Sequence, residues 1–267
     1  MNNIYKAMRK VTNINDEAIA PYKTLKKLNN DYVQNKNYFV AEGEKVVLRL
    51  LKSAIRINSI FSTLEFLNKH LELIESKVPT NAIYVAEKAL MSEIVGYKLH
   101  DGVMALAVEP DETDFANFDD RIIAMNAIVD SENVGAIIRN AAAFDMTSIL
   151  IDSESSSPYL RRAVRVSLGN IFKCKHHISK NLVQDLEYLR DEYGYSIIAA
   201  EICENSISLK DFDFPPKYVI VFGNEGRGIS ADVLNICDST VQIPINPESD
   251  SINVAASSAV FFYELNK

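Results

Sequence analysis

Beyond residue 120 the chain alternates short apolar runs with segments whose apolar residues recur every third or fourth position. RIIAMNAIVD (121–130), SILID (148–152), SIIAAEI (196–202), YVIVFG (218–223) and TVQIPI (240–245) have the length and composition of buried strands. Between and after them, NVGAIIRNAAAFD, RRAVRVSLGNIFK, LVQDLEYLRDEYG, ISADVLNIC and INVAASSAVFFYELN read as helices. Such alternation predicts a parallel sheet with helices on both faces. In sheets of this kind ligands sit beyond the carboxyl ends of the strands. Three turns rich in Gly or Asn fall at those ends: DSENVGAIIR, FGNEGRGIS and IPINPESDSINVA.

Upstream the pattern describes a smaller α/β unit. YFVAEG, NSIFST, AIYVA and GVMALAV read as strands, and EKVVLRLLKSA and LEFLNKHLEL as helices. PYKTLKKLNNDYVQNKN reads as a helix followed by a loop. Between the two parts runs EPDETDFANFDD, acidic and interrupted by Pro110, which breaks the apolar pattern. The expected organisation is a first domain over 1–107, a linker over 108–120 and a second domain over 121–267.

Composition narrows the class. With 267 residues, 48% of them hydrophobic and 24% charged, the chain has material for a sizeable core and is not of disordered type. The amino terminus lacks the apolar stretch of a signal peptide, and no window reaches the length of a membrane span. Cys174, Cys203 and Cys237 lie far apart without a C-x-x-C pair, and the four histidines form no H-E-x-x-H. A reduced, cytoplasmic protein that needs neither metal nor membrane is expected. The net charge of −8 is uneven: residues 1–110 carry +3 and residues 111–267 carry −11. An acidic whole argues against nonspecific coating of nucleic acid, while the basic amino-terminal part leaves room for a local anionic partner. There Lys23, Lys26, Lys27 and Lys36 are either a phosphate-facing set or a solvated helix face.

The turns carry the chemistry. GNEGRG has neither the glycine order of a dinucleotide-binding turn nor the GK[ST] of a Walker phosphate loop. Its three glycines suit a backbone that a ligand approaches closely. Asn133 stands at the start of one helix with Arg139 nearly two turns along it, and Ser251 and Asn253 precede the last helix. One sheet edge thus collects an Arg, a Glu (Glu225), a Ser and two Asn. Glu225 is a natural partner for Arg139. Ser251 and Asn253 are equally suited to capping the helix behind them. Arg161, Arg162 and Arg165 form a tight basic cluster in an acidic domain, open to an anionic partner or to salt bridges with nearby acids.

Taken together, NVGAIIRNAAAFD, VIVFGNEGRGIS and IPINPESDSINVAAS resemble, in order and spacing, the three motifs of the SpoU family, 2′-O-ribose RNA methyltransferases of the SPOUT superfamily. The resemblance covers about the last 150 residues; YFVAEGEKVVLRLL suggests the ribosomal-protein-like substrate-binding domain many members carry. It implies an α/β domain tied in a trefoil knot, S-adenosylmethionine as cofactor, and a homodimer with its active site at the subunit interface. Gly223, Ile243 and Ile252 match the family's cofactor contacts, with Gly228 beside them. Asn133, Arg139, Glu225, Ser251 and Asn253 match its catalytic set. Arg161, Arg162, Arg165, Lys26 and Lys27 are the candidate RNA contacts. Structured RNA is the implied substrate, ribosomal RNA before transfer RNA. Two features depart from the pattern: Pro247 stands where a Gly is usual, and Asn170 replaces a small residue after Gly169. Two rivals remain, a catalytically silent RNA-binding assembly factor on the same fold and a nucleotide-dependent oxidoreductase, the latter opposed by the glycine order.

Overall fold

A computed structural model describes residues 8–23, 37–246, 248, 249 and 251–266. Lys26, Lys27, Lys36 and Pro247 lie outside the described residues. In chain order the first elements are β1 (Arg9–Lys10), α1 (Ala20–Lys23), β2 (Tyr38–Glu42), α2 (Glu44–Leu51), β3 (Ile57–Ser62), α3 (Leu64–Lys69), α4 (Leu71–Glu75), β4 (Ile83–Val85), α5 (Lys88–Val95) and β5 (Val103–Val108). Then come β6 (Arg121–Met125), α6 (Ser131–Ala143), β7 (Ser148–Asp152), α7 (Arg161–Val166), β8 (Lys175–Ser179), α8 (Leu182–Tyr193) and β9 (Ser196–Ala200). The last are β10 (Ile207–Ser208), β11 (Tyr218–Phe222), α9 (Ala231–Leu234), β12 (Ser239–Gln242) and α10 (Val254–Glu264).

The chain divides into two compact units, Met1–Pro110 with Tyr159–Phe172, and Asp111–Pro158 with Lys173–Lys267. Among its described residues the first unit holds a five-stranded sheet in the order β1-β4-β3-β5-β2. Strand β5 runs antiparallel to both β2 and β3, while β3 and β1 pair in parallel with β4. LEFLNKHLEL forms two helices rather than one, because His70, at φ −125°, leaves the helical region between them. Helix α5 was not anticipated, although Leu90, Met91, Ile94 and Val95 carry its spacing. Met91, Ile94 and Val95 join Tyr22, Phe61 and Met104 in the core of this unit.

Residues 159–172 belong to this first unit although the chain reaches them from the second. RRAVRVSLGNIFK is not one helix: α7 stops at Val166, Leu168 and Gly169 both take positive φ, and a 3₁₀ turn follows over Asn170–Lys173. Tyr159 and Phe172, at the two ends of the segment, both pack on the ring of Phe39 in β2. Arg161 corrects an expectation. Its guanidinium is buried and pairs with Glu42 at 2.7 Å, and it also donates to the hydroxyl of Tyr97 at 3.0 Å and the carbonyl of Tyr22 at 3.3 Å. A side chain so engaged is not open to an RNA phosphate; among the three arginines only Arg162 and Arg165 lie exposed. Asn170 takes the 3.1 Å bond from Arg49, which also donates to the Leu168 carbonyl at 2.7 Å.

In the second unit seven described strands form a sheet in the order β10-β12-β9-β11-β6-β7-β8, with every pairing parallel. Ile122, Ala124, Ile197, Val219 and Val221 build one side of its core against Leu182, Leu186 and Leu189 of α8. Strand β8, KHHIS, was not anticipated because its two histidines hide the apolar pattern. RIIAMNAIVD is a strand only to Met125, since Ala127 turns the chain at φ 56°. The buried Asp152 holds that turn: it accepts from the Ala127 N–H at 2.8 Å, the Asn126 amide at 2.9 Å and the Ser155 hydroxyl at 2.7 Å.

Candidate active site

Strand β11 runs straight into the glycine turn. Asn224 and Gly228 exchange main-chain hydrogen bonds at 3.1 and 2.9 Å, closing 224–228 into a small loop. The side chain of Asn224 fills it, accepting from the N–H of Gly226 at 2.9 Å and of Arg227 at 3.0 Å while donating to the Ala127 carbonyl at 2.8 Å. This loop revises the reason for two glycines. A Cβ at Gly223 would lie 2.3 Å from the Ile229 nitrogen, so bare backbone is needed for the loop to close on itself. Gly228 has φ +70° and a Cβ there would lie 2.5 Å from a carboxylate oxygen of Glu201. Gly226 is under no such pressure, since its Cβ would meet nothing nearer than 3.6 Å.

The three motifs are joined by a chain of side chains. Asn253 caps α10, its Oδ1 accepting from the N–H groups of Ala255 at 2.9 Å and Ala256 at 3.2 Å. Its Nδ2 donates to Oδ1 of Asn133 at 3.1 Å, and Nδ2 of Asn133 donates in turn to Oε1 of Glu225. Capping and motif linkage are therefore the same residue's work. The sequence suggested Arg139 as the partner of Glu225; the structure gives it Asn133 instead. Arg139 is exposed on α6 and makes no hydrogen bond or ion pair with the described residues. Its neighbour Asn140 donates to the Ala255 carbonyl at 2.7 Å and the Ser258 hydroxyl at 3.0 Å, pinning α6 to α10.

These loops surround a crevice of about 470 Å³, a volume in the range of small-molecule sites. Gly223, Glu225, Gly228, Ile243, Ser251 and Ile252 line it, together with Ile245, Val254 and Phe261. The three residues matched to cofactor contacts, and Gly228 beside them, are thus on its wall, with Glu225 and Ser251 of the polar set. Asn133 and Asn253 stand behind Glu225 as its hydrogen-bonded support. A second, more polar crevice of about 390 Å³ shares the 224–228 loop as a wall and is lined on its other sides by Asp152, Lys180, Asn181 and Asp232. Sequence reasoning missed Asn224, Asn126, Asp152 and Glu201. Asn224 was within reach, since an Asn inside a glycine turn commonly bonds to backbone two residues on. The others act on backbone distant in sequence, and nothing local marks them.

The site's architecture has relatives. Residues 120–263 match the model of the SpoU rRNA Methylase family. The chain is 30% identical over 241 residues to an uncharacterized tRNA/rRNA methyltransferase of Mycobacterium tuberculosis, covering 88% of this chain and 82% of that protein. It is 27% identical over 192 residues to the 23S rRNA (guanosine-2′-O-)-methyltransferase RlmB of Acinetobacter baylyi, covering 68% and 77%. In structure it is similar to an AdoMet-bound rRNA methyltransferase from Sinorhizobium meliloti, with a TM-score of 0.81 at 17% identity over 97% of each chain. The SpoU methyltransferase AviRb from Streptomyces viridochromogenes, in complex with AdoMet, gives 0.79 at 18% identity over 93% and 96%. Those two likenesses establish a shared fold. With the motif loops, the family match and the relatives in agreement, the chain belongs to the SpoU rRNA Methylase family.

Proposed function

We propose that the protein is an RNA methyltransferase that moves a methyl group from S-adenosylmethionine to a ribose 2′-hydroxyl of structured RNA, ribosomal RNA in preference to transfer RNA. The observation that carries this reading is the linked set Glu225–Asn133–Asn253 beside a crevice walled by Gly223, Ile243 and Ile252. The crevice fits the cofactor chemically. Ile243, Ile245, Ile252 and Phe261 offer an apolar wall to a flat base, and the loop main chain offers N–H and C=O groups at its edge. When bound, S-adenosylmethionine supplies an electrophilic methyl on a positively charged sulfur.

The chain's own residues do the rest. Arg139, permanently charged, suits the phosphate next to the target ribose and the negative charge that grows on the 2′-oxygen as its proton leaves. For the same reason it is not the proton acceptor. That it has no partner within the described residues suits a cation whose counter-charge arrives with substrate at a subunit interface. Glu225 and Asn253 hold the Asn133 amide in one orientation, and Ser251 presents a hydroxyl at the crevice wall. The reading includes a homodimer, a knotted carboxyl-terminal part, a cytoplasmic location and a substrate-binding role for the amino-terminal part. It keeps 1–107, 108–120 and 121–267 as the functional divisions, with Arg162, Arg165, Lys26 and Lys27 as RNA contacts.

Calorimetry with S-adenosylmethionine, S-adenosylhomocysteine and NAD, followed by mapping of ribose methylation on ribosomal and transfer RNA incubated with the protein, tests it. Binding of the first two ligands and a new 2′-O-methyl group on ribosomal RNA is expected. RNA binding with no cofactor binding would instead identify an assembly factor, and NAD binding alone an oxidoreductase.

A further inference from the structure

Strand β9 lies between β12 and β11 in the sheet, so the residue that follows it, Glu201, emerges between the two loops that form the cofactor crevice. Its carboxylate is tied to the glycine loop and to its own chain. One oxygen accepts from the N–H of Ile229, at the end of the glycine loop, at 2.8 Å. The other accepts from the N–H of Ile202 at 3.1 Å. Gly228 is bare where it passes this carboxylate. Glu201 also lines the crevice itself, as do the apolar residues Ile243 and Ile252.

Two main-chain donors leave a carboxylate half used, since its two oxygens offer about four acceptor positions. The remaining positions can serve a ligand in the crevice that Glu201 lines. A ligand whose flat base rests on Ile243 and Ile252 presents next to that base a sugar with two adjacent hydroxyls, both donors. A carboxylate held rigid from behind suits such a vicinal diol, and an acid at a strand's carboxyl end meets a ribose in the same way in dinucleotide sites. We infer that Glu201 is a cofactor-binding residue that accepts hydrogen bonds from the ribose diol of the adenosyl group, while its main-chain bonds lock the glycine loop against the crevice. This rests on the S-adenosylmethionine reading of the site.

The test is a double-mutant cycle read by calorimetry on the full chain. S-adenosylhomocysteine and its 2′-deoxy and 3′-deoxy adenosyl analogues are titrated into the native protein, Glu201→Gln and Glu201→Ala, with thermal melting as the check on folding. In the native protein, removing a hydroxyl weakens binding on the order of tenfold, the usual worth of a hydrogen bond to a charged group. In Glu201→Ala the parent compound binds more weakly, and the deoxy analogues then bind as well as the parent does. Glu201→Gln keeps an acceptor for the loop and loses only part of the discrimination; it serves if the alanine variant does not fold. A deoxy penalty that survives unchanged in the variants, or is absent from the native protein, overturns the role of Glu201 alone. Failure of the native protein to bind S-adenosylhomocysteine at all overturns the cofactor reading and this inference with it.

Discussion

Gly223 and Gly226 stand three residues apart in one loop and should answer substitution in opposite ways. At Gly223 a methyl group would collide with the main chain of Gly228 and Ile229, at 2.4 and 2.3 Å, and backbone cannot step aside as a side chain can. Gly223→Ala is expected to destabilise by about 3 kcal/mol, as overpacking does, and to abolish S-adenosylmethionine binding. Gly226→Ala meets only ordinary contact at 3.6 Å and should stay within about 0.5 kcal/mol of native. Urea unfolding and calorimetry on the two variants check the contrast; equal effects would show that the loop does not close as described. At this scale the sequence was legible where residues act on their own neighbourhood. The run of glycines marks bare backbone, and Asn253 before an apolar helix marks a cap. The reason for the bareness was not legible. Ile229 and Gly228 fold back on Gly223, and Glu201 reaches Ile229 from another strand, contacts that only the tertiary structure creates.

Among elements, the alternation of apolar runs located the sheet strands β6, β7, β9, β11 and β12, because buried parallel strands read as unbroken apolar stretches, but it carried β6 five residues too far. Strand β8 escaped since His176 and His177 interrupt it, and α7 was overextended since the left-handed turn at Leu168 and Gly169 has only one glycine to announce it. The arginines of α7 separate by face. Arg161 points inward to Glu42, each only 9% exposed, while Arg162 and Arg165 face out. Arg161→Ala would leave the Glu42 carboxylate buried and uncompensated, at a cost of about 3–5 kcal/mol. Replacing both, as Arg161→Met with Glu42→Gln, should recover most of that loss. Arg162→Ala and Arg165→Ala should each change stability by less than about 0.5 kcal/mol, and the pair together should weaken RNA binding and flatten its salt dependence. Denaturant midpoints and RNA titrations across a salt series read the two classes separately. A stable Arg161→Ala protein would show that the buried pair contributes nothing.

For the molecule as a whole, thiol chemistry reports how tightly the second unit is closed. Burial pushes the thiols of Cys174 and Cys237 up to about 12, while Cys203 is exposed. A raised thiol pKa keeps the unreactive protonated form through neutral and mildly alkaline pH. A disulfide reagent at pH 8 should therefore titrate one thiol quickly in the native protein and all three in urea; three fast thiols would mean the second unit opens readily. The chain path makes a stronger demand. It passes from the first unit to the second at Pro110, returns at Tyr159 and leaves again after Phe172. A reading along the sequence places the domain division inside the acidic linker. It misses the return, because α7 resembles any other helix of the second unit. The consequence is that a fragment starting at Asp111 carries 159–172 without the surface it was built to cover. Tyr159 and Phe172 would lose the ring of Phe39, and Arg161 would lose Glu42. Such a fragment is expected to aggregate, and a fragment ending at Pro110 to leave the Phe39 face of its sheet open. Produced together, the two should associate through that segment and regain a single cooperative melting transition, followed by size-exclusion chromatography and circular dichroism. If the fragment from Asp111 folds alone as well as the full chain does, 159–172 is not part of the first unit's core. The buried pair would then contribute to docking two complete domains rather than to the interior of one.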